Sequence, residues 1–251
     1  MDNNQKIYYR RNLPHYHPLN SCYFITFRLA NSLPWKIIKE LKKEFEFERK
    51  KLNSIKEFKL KEKELYAHEK RYFGKFDSLL DFSESGSTWL KDKRIAKIVN
   101  DTIQSKNSKE YELLAFCIMP NHVHLVIDLR QEELITVTRD SSREQSRLES
   151  RVTNPVTQDY SREPARLESR VTGILRKLKG ATAREANKIL NRTGQFWHHE
   201  SYDHVVRNEK ELERIINYVL NNPVKAGFVK KWDDWEWNYC NSRFISKIFS
   251  T

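Results

Sequence analysis

Two groups of residues in this sequence have the types and spacing for chemistry on a phosphate. The first is His122-Val123-His124, within PNHVHLVID. Alternate side chains of a strand share a face, so His122, His124, Val126 and Asp128 point one way and Val123, Leu125 and Ile127 the other. The second set makes a clean apolar core face, which sends the two imidazoles to the opposite side. Imidazoles two residues apart on one strand can chelate a divalent ion. The plainer reading is a pair of surface or packing histidines. The second group is Tyr218 with Asn222. On a helix starting at Asn208, the apolar stripe of Leu212, Ile215, Ile216, Val219 and Leu220 centres away from Tyr218. Asn222 lies four residues on and falls on nearly the same face as Tyr218. An exposed tyrosine on a helix flank is the ordinary alternative.

Taken together the two groups suit one reaction. Cutting a phosphodiester needs a nucleophile, neutralisation of charge on the phosphate and a route for the leaving oxygen. His122 and His124 supply two neutral ligands, and Asn222 a third through its side-chain oxygen. Tyr218 is then held one helical turn from the metal. A tyrosine phosphodiester preserves the bond energy, so a later 3′-hydroxyl can reseal the strand without ATP, and the chain has no GxxxxGK[ST] loop to bind it. Spacing alone does not suffice. His15-Tyr16-His17 repeats the pattern, but prolines flank it and no alternating apolar strand surrounds it, so it reads as part of an N-terminal arm. His198 and His199 are adjacent and point apart in an extended chain.

The elements that must position these residues are legible in outline. Cys22–Leu29 (CYFITFRL) reads as a first strand. From Trp35 to about Tyr72 the chain is rich in Lys and Glu, a mostly exposed helix or helical hairpin. Trp89–Ser105 reads as another helix. Glu112–Met119 and His122–Leu129 are short apolar strands joined at Pro120-Asn121. Gly173–Asn191 is a basic amphipathic helix, and Asp203–Arg207 a short strand. Asn208 then caps a helix, with Glu211 placed as in a capping box, which runs to about Asn221 and stops at Pro223. The order suits an α+β fold, a small antiparallel sheet with helices packed on one face.

Residues 130–172 differ in kind. SREQSRLESRVT (Ser142–Thr153) recurs nearly verbatim as SREPARLESRVT (Ser161–Thr172). Each copy lacks a convincing apolar face, so the segment reads as a flexible polar insertion. Residues 1–129 and 173–251 then form a single domain, with a charged helical insertion near 35–72. The 46 Lys and Arg against 34 Asp and Glu give a net charge of +12, which favours a polyanion, nucleic acid or an anionic membrane face. The apolar runs are too short to span a membrane. Three scattered cysteines without CxxC spacing fit a reducing cytoplasm.

MPNHVHLVI resembles the HUH strand of single-tyrosine transposases. GQFWHHESYDHVVRNEKELERIINYVLNNPVKAGFV and the opening RRNLPHYHPLNSCYFITFRLANSLP resemble their REP-associated branch. The resemblance covers most of the chain outside the 130–172 insertion and part of the charged helical region. It implies a ferredoxin-like fold, Mg²⁺ or Mn²⁺ on His122 and His124, and Tyr218 as the nucleophile that forms a 5′-phosphotyrosine. Asn222 matches the polar third ligand. The implied partner is single-stranded or hairpin DNA with palindromic repeats, handled by a monomer or a homodimer. Arg10, Arg11, Arg176, Lys177, Lys179 and Arg184 are candidate phosphate contacts. Trp232, Trp235 and Trp237 suit core closure better than base stacking.

Three rival readings follow from the same residues. A hairpin-binding module could keep the fold without the chemistry. A replication-initiator or relaxase nickase would share the chemistry but needs further domains. A basic membrane-surface protein would need a basic helix with a large aromatic apolar face, which the sequence does not offer.

Overall fold

The computed structural model describes residues 8–10, 14–18, 20–81, 85–130 and 169–249. A short antiparallel ribbon, β1 (Tyr8–Arg10) and β2 (Pro14–Tyr16), leads into β3 (Cys22–Leu29). A helical hairpin follows, α1 (Trp35–Asn53) and α2 (Phe58–Asp81). Then come α3 (Lys93–Ser105), β4 (Glu112–Ile118), β5 (His122–Asp128), α4 (Arg170–Ile189) and β6 (Trp197–Val206). The chain closes with α5 (Glu209–Leu220), a single turn α6 (Asn222–Lys225), β7 (Asn238–Cys240) and α7 (Ser242–Phe249).

The sheet order is β6-β3-β5-β4-β7, with every neighbouring pair antiparallel. In chain order β3-α3-β4-β5-α4-β6 is a split βαβ repeat, the ferredoxin-like α+β arrangement expected from the sequence. Its two crossover helices lie on one face, also as expected. There Tyr23, Ile25 and Phe27 of β3 and Val123, Leu125 and Ile127 of β5 pack against Ile95, Val99 and Ile103 of α3 and Ile174 and Leu178 of α4. Each such buried side chain stabilises the fold by about 1.5–3 kcal/mol relative to exposure.

The other face is covered as well, by elements outside the repeat. Phe24, Leu114, Cys117 and Val126 meet Leu212, Ile216 and Val219 of α5 and Phe244 of α7. Helix α2 reaches the same face through Phe73, whose ring stacks on Tyr202 at 3.7 Å and meets Phe24 edge-on at 5.6 Å. Strand alternation therefore puts β5's apolar set and its histidines into two different buried layers.

Four boundaries differ from the sequence expectation. The helical hairpin runs on to Asp81 rather than ending near Tyr72, because Phe73, Asp77 and Leu80 on α2 face inward. Helix α4 starts at Arg170, capped by the Ser169 hydroxyl on Thr172 N–H, so the last residues of the second repeat copy are helical. Residues 131–168, which hold the rest of the 130–172 insertion, lie outside the described residues. Strand β6 begins at Trp197, well before Asp203. As an edge strand it is fixed by backbone pairing to β3, and HHESYDH carries no apolar alternation to announce it. Pro223 does not stop the chain's helical path: it sits in the first turn of α6, where its missing N–H is not needed.

Candidate functional site

His122 and His124 project from β5 into the layer between the sheet and α2, α5 and α6, and both are fully buried. Their Nε2 atoms stand 3.0 Å apart. The turn before β5 sets this up: Asn121 Nδ2 donates to Leu80 O at 2.8 Å, which leaves its Oδ1 to accept from His122 Nδ1 at 2.7 Å. That fixes the His122 tautomer, with a lone pair on Nε2. The Thr26 hydroxyl, across the pair on β3, stands 2.7 Å from His124 Nδ1 and can play the same part. Burial, then the charge of Lys225, pushes His122 down to about 3. Burial, His122 and Lys225 likewise hold His124 well below the usual histidine range. Neutral imidazoles with converging lone pairs are what a metal ion requires.

The sequence reading missed the acids opposite. Asp77 and Asp81 are one turn apart on α2 and face the same point: Asp77 Oδ1 is 3.6 Å from His124 Nε2, and Asp81 Oδ1 is 3.8 Å from His122 Nε2. Asp77 is fully buried, and neither of its carboxylate oxygens has a hydrogen-bond partner. Burial, and the neighbouring Asp81 charge, raise its pKa well above the carboxylate range despite Lys225. Burial raises Asp81 too, though Lys225 Nζ, 2.9 Å from its Oδ2, opposes the shift. Asp77, His122 and His124 therefore form a buried three-ligand group of the kind that holds a metal ion. Unpartnered carboxylate oxygens facing two imidazole lone pairs fit a divalent cation, which would satisfy all of them at once.

Tyr218 comes to this group from α5. Its half-buried ring meets His124 edge-on, with centroids 5.6 Å apart, and Phe24 at 6.2 Å. Lys225 Nζ lies 5.9 Å from the same ring centroid. Asn222 follows in the first turn of α6. It is fully buried, faces Asp81, and has both side-chain polar atoms without a hydrogen-bond partner. The structure thus brings His122, His124, Tyr218 and Asn222 into one layer, and adds Asp77, Asp81, Lys225, Asn121 and Thr26.

No family model matches the chain. Among curated proteins, one of Haemophilus influenzae, provisionally named a REP-associated tyrosine transposase, is 25% identical over 139 residues, 55% of this chain and 64% of that protein. A REP-associated tyrosine transposase of Escherichia coli K12 is 38% identical over 40 residues, 16% of this chain and 24% of that one. The chain resembles REP-associated tyrosine transposases. Its matched stretches span less than two thirds of either relative's length. A solved structure titled as the REP-associated tyrosine transposase bound to a REP hairpin superposes loosely, with a TM-score of 0.40 and 14% identity over 92% of this chain and 80% of that one.

The basic residues expected to meet DNA do not join the histidine layer. Arg11 lies outside the described residues, and of Arg10 only its place in β1 is described. Arg176, Lys177, Lys179 and Arg184 belong to α4, on the opposite face of the sheet. Lys177 pairs with Glu110 at 3.3 Å, and Lys179 Nζ donates to the carbonyls of His198 at 2.7 Å and His199 at 3.2 Å. Arg176 and Lys179 line a groove of about 500 Å³ along β6. His17 is buried between Ser169 Oγ and Asp203, 2.9 Å from the Asp203 carboxylate, a clamp between the arm, α4 and β6. The tryptophans close the core: Trp235 Nε1 donates to Ile118 O at 3.1 Å and its ring stacks on Phe228, while Trp237 packs on the α3–α4 layer. No helix among the described residues is long and apolar enough to cross a membrane.

Proposed function

We propose that this REP-associated transposase relative cuts and rejoins single-stranded DNA beside hairpins, with Tyr218 as the nucleophile. The observation that carries the reading is the Tyr218 ring edge-on to His124 in a buried layer that also holds His122, Asp77 and Asn222. Tyr218 Oη attacks the scissile phosphorus. The new O–P bond forms as the bond to the 3′ oxygen breaks, and the phenol proton ends on that oxygen. The products are a 5′-phosphotyrosine and a free 3′-hydroxyl, and attack by another 3′-hydroxyl reverses the step. Lys225 holds positive charge near the tyrosine ring and anchors Asp81, which keeps α2 and α6 in register. Asn121 and Thr26 orient the imidazoles. A divalent ion, Mg²⁺ or Mn²⁺, held by His122, His124 and either Asp77 or Asn222, supplies charge neutralisation on the phosphate when bound.

The test is covalent trapping. The protein is incubated with Mn²⁺ and labelled single-stranded hairpin oligonucleotides taken from DNA flanking the gene, then run on a denaturing gel. A metal-dependent labelled protein band that vanishes in Tyr218→Phe is expected. A band that survives in Tyr218→Phe assigns the nucleophile to another residue. A second reading is favoured by the full burial of His122, His124, Asp77 and Asn222, which leaves a phosphate no open approach unless α2 yields. On that reading the chain binds hairpin DNA without cleaving it, and tight binding without any adduct in the same samples selects it.

A further inference from the structure

A cavity of about 440 Å³ lies between the α1–α2 hairpin and the β3–β6 edge of the sheet. Its walls carry five aromatic rings, Phe45 from α1, Tyr72, Phe73 and Phe76 from α2, and Tyr202 from β6, along with two carboxylates, Glu46 and Glu200. It shares a partition with the histidine pair. Thr26, whose hydroxyl meets His124, and Leu80, whose carbonyl holds Asn121, both line it.

Arg28 of β3 also lines the cavity and is only 5% exposed. Its guanidinium donates to Ser32 Oγ at 3.0 Å and lies 5.4 Å from the centre of the Phe76 ring. No carboxylate among the described residues is within ion-pair distance of it. Burial brings its pKa down to about 10, with the nearby Tyr72 and Glu200 opposing, so it stays charged at neutral pH. A buried cation whose neighbouring carboxylate, Glu200, stops short of an ion pair carries a desolvation cost that a ligand can offset. An apolar chain would fill the space and leave Arg28 unanswered, whereas a bare phosphate would leave the aromatic walls unused. A nucleobase answers both, with a flat π-face for the rings and ring nitrogens or carbonyls for the guanidinium. Lys42, exposed at the rim, adds charge for the attached backbone.

We propose that this cavity is a pocket for one unpaired base of a DNA single strand, next to the phosphate offered to Tyr218. It rests on the reading of the chain as a protein that acts on single-stranded DNA. The α1–α2 hairpin is then a base-holding insertion, and Arg28 a reader of the base's acceptor edge.

The experiment scans 2-aminopurine through a single-stranded oligonucleotide from gene-flanking DNA, one position at a time, and measures fluorescence as the full chain is added. The expected result is strong quenching at one position, relieved in Tyr72→Leu and Phe76→Leu, with binding weakened roughly tenfold in each. An abasic nucleotide at that position should weaken wild-type binding by a similar factor and leave the variants unchanged. Uniform quenching, or leucine variants that melt like the wild type and bind as tightly, overturns the pocket. If the leucine variants do not fold, Lys42→Glu at the exposed rim carries the test: binding several-fold weaker with less quenching at the same position supports the pocket, and no change overturns it. A Tyr218 adduct with pocket-independent binding sinks the pocket and leaves the cleavage reading standing. Pocket-dependent quenching without any adduct does the reverse.

Discussion

The two faces of β5 were built from alternate residues of one heptapeptide, yet they serve opposite ends. Val123, Leu125 and Ile127 enter a layer of aliphatic and aromatic side chains between the sheet and α3 and α4. His122 and His124 enter a layer that also buries Asp77, Asp81 and Asn222, where the two Asp77 oxygens, Asp81 Oδ1 and both Asn222 polar atoms have no hydrogen-bond partner. Each unsatisfied buried polar group costs about 1–3 kcal/mol. The sheet can carry this burden because apolar packing surrounds it, in the α3–α4 layer on one face and through Phe24, Leu114, Val126 and Ile216 beside the polar group on the other. The comparison predicts that adjacent substitutions on β5 separate chemistry from stability.

The largest effect should come from His124→Ala. Metal-dependent adduct formation should fall at least about 10³-fold, while the metal-free protein loses only about 1–3 kcal/mol, from the Thr26 hydroxyl left without its partner and the ring's contacts with Phe24 and Tyr218. A variant that instead melts far earlier would show that the histidine layer holds the fold together. One residue on, Leu125→Ala should destabilise by about 2–5 kcal/mol in urea titrations, since Leu125 is fully buried at the centre of the sheet. Whatever fraction stays folded should keep its adduct rate. Asp77→Asn sharpens the contrast within the polar layer. Removing a buried carboxylate without a hydrogen-bond partner should raise metal-free stability by about 1 kcal/mol, while the upward melting shift that Mn²⁺ gives the wild type should shrink. A metal shift of unchanged size would assign the third ligand to Asn222.

A smaller effect, with a definite pH window, belongs to Glu211 at the start of α5. Its carboxylate accepts from Arg207 N–H at 2.9 Å, Lys70 Nζ at 2.7 Å and His204 Nε2 at 3.1 Å. Burial pushes its pKa up, but these donors and the charges of Lys70 and His204 outweigh it and bring the group down to about 2. A depressed carboxylate contributes stability that is complete above its unfolded pKa of 4.5 and is lost as pH falls from there towards 2. Because the Lys70 side chain is 45% exposed and solvent screens the pair, this contribution is about 1–2 kcal/mol. Urea midpoints measured between pH 5 and pH 2.5 should fall more gently in Glu211→Gln, and parallel curves would remove Glu211 as the cause.

The apolar face was legible in the sequence because alternation in β5 and helical spacing in α3 and α4 leave a periodic trace. The polar face was legible only in part. His122 and His124 stand out by type, and Tyr218 by lying off its helix stripe, although its ring still packs beside Phe24 on the second core layer. Asp77 and Asp81 left no such trace. Their helix reads as a charged, exposed hairpin, and only the tertiary docking of α2 through Phe73 and Leu80 turns two of its acids inward. The i,i+4 spacing of Asp77 and Asp81 beside inward apolar residues was the available signal. Asn121 was read as a turn residue, which it is, and its second task of holding His122 depends on Leu80 O arriving from α2. Nothing in the sequence around Lys225 announces its charge as part of the site, since its partner Asp81 is far away in the chain.

Gly74 lies just past Tyr72, where the Lys- and Glu-rich pattern gives out, and it supplies the smallest effect. Glycine inside a helix costs about 1 kcal/mol relative to alanine. The helix continues because the residues on either side dock: Phe73 stacks on Tyr202, and Asp77 and Leu80 face the sheet. Gly74 itself is exposed on the opposite side, and a Cβ placed there would meet nothing within 4 Å. Gly74→Ala should therefore stabilise the protein by about 0.5–1 kcal/mol, read as a higher urea midpoint, without altering the histidine layer. If α2 must yield to admit a phosphate, the same substitution should also slow adduct formation, because it stiffens the helix that covers His122 and His124. A variant that is more stable and forms the adduct at the wild-type rate would show that the strand reaches Tyr218 without bending α2.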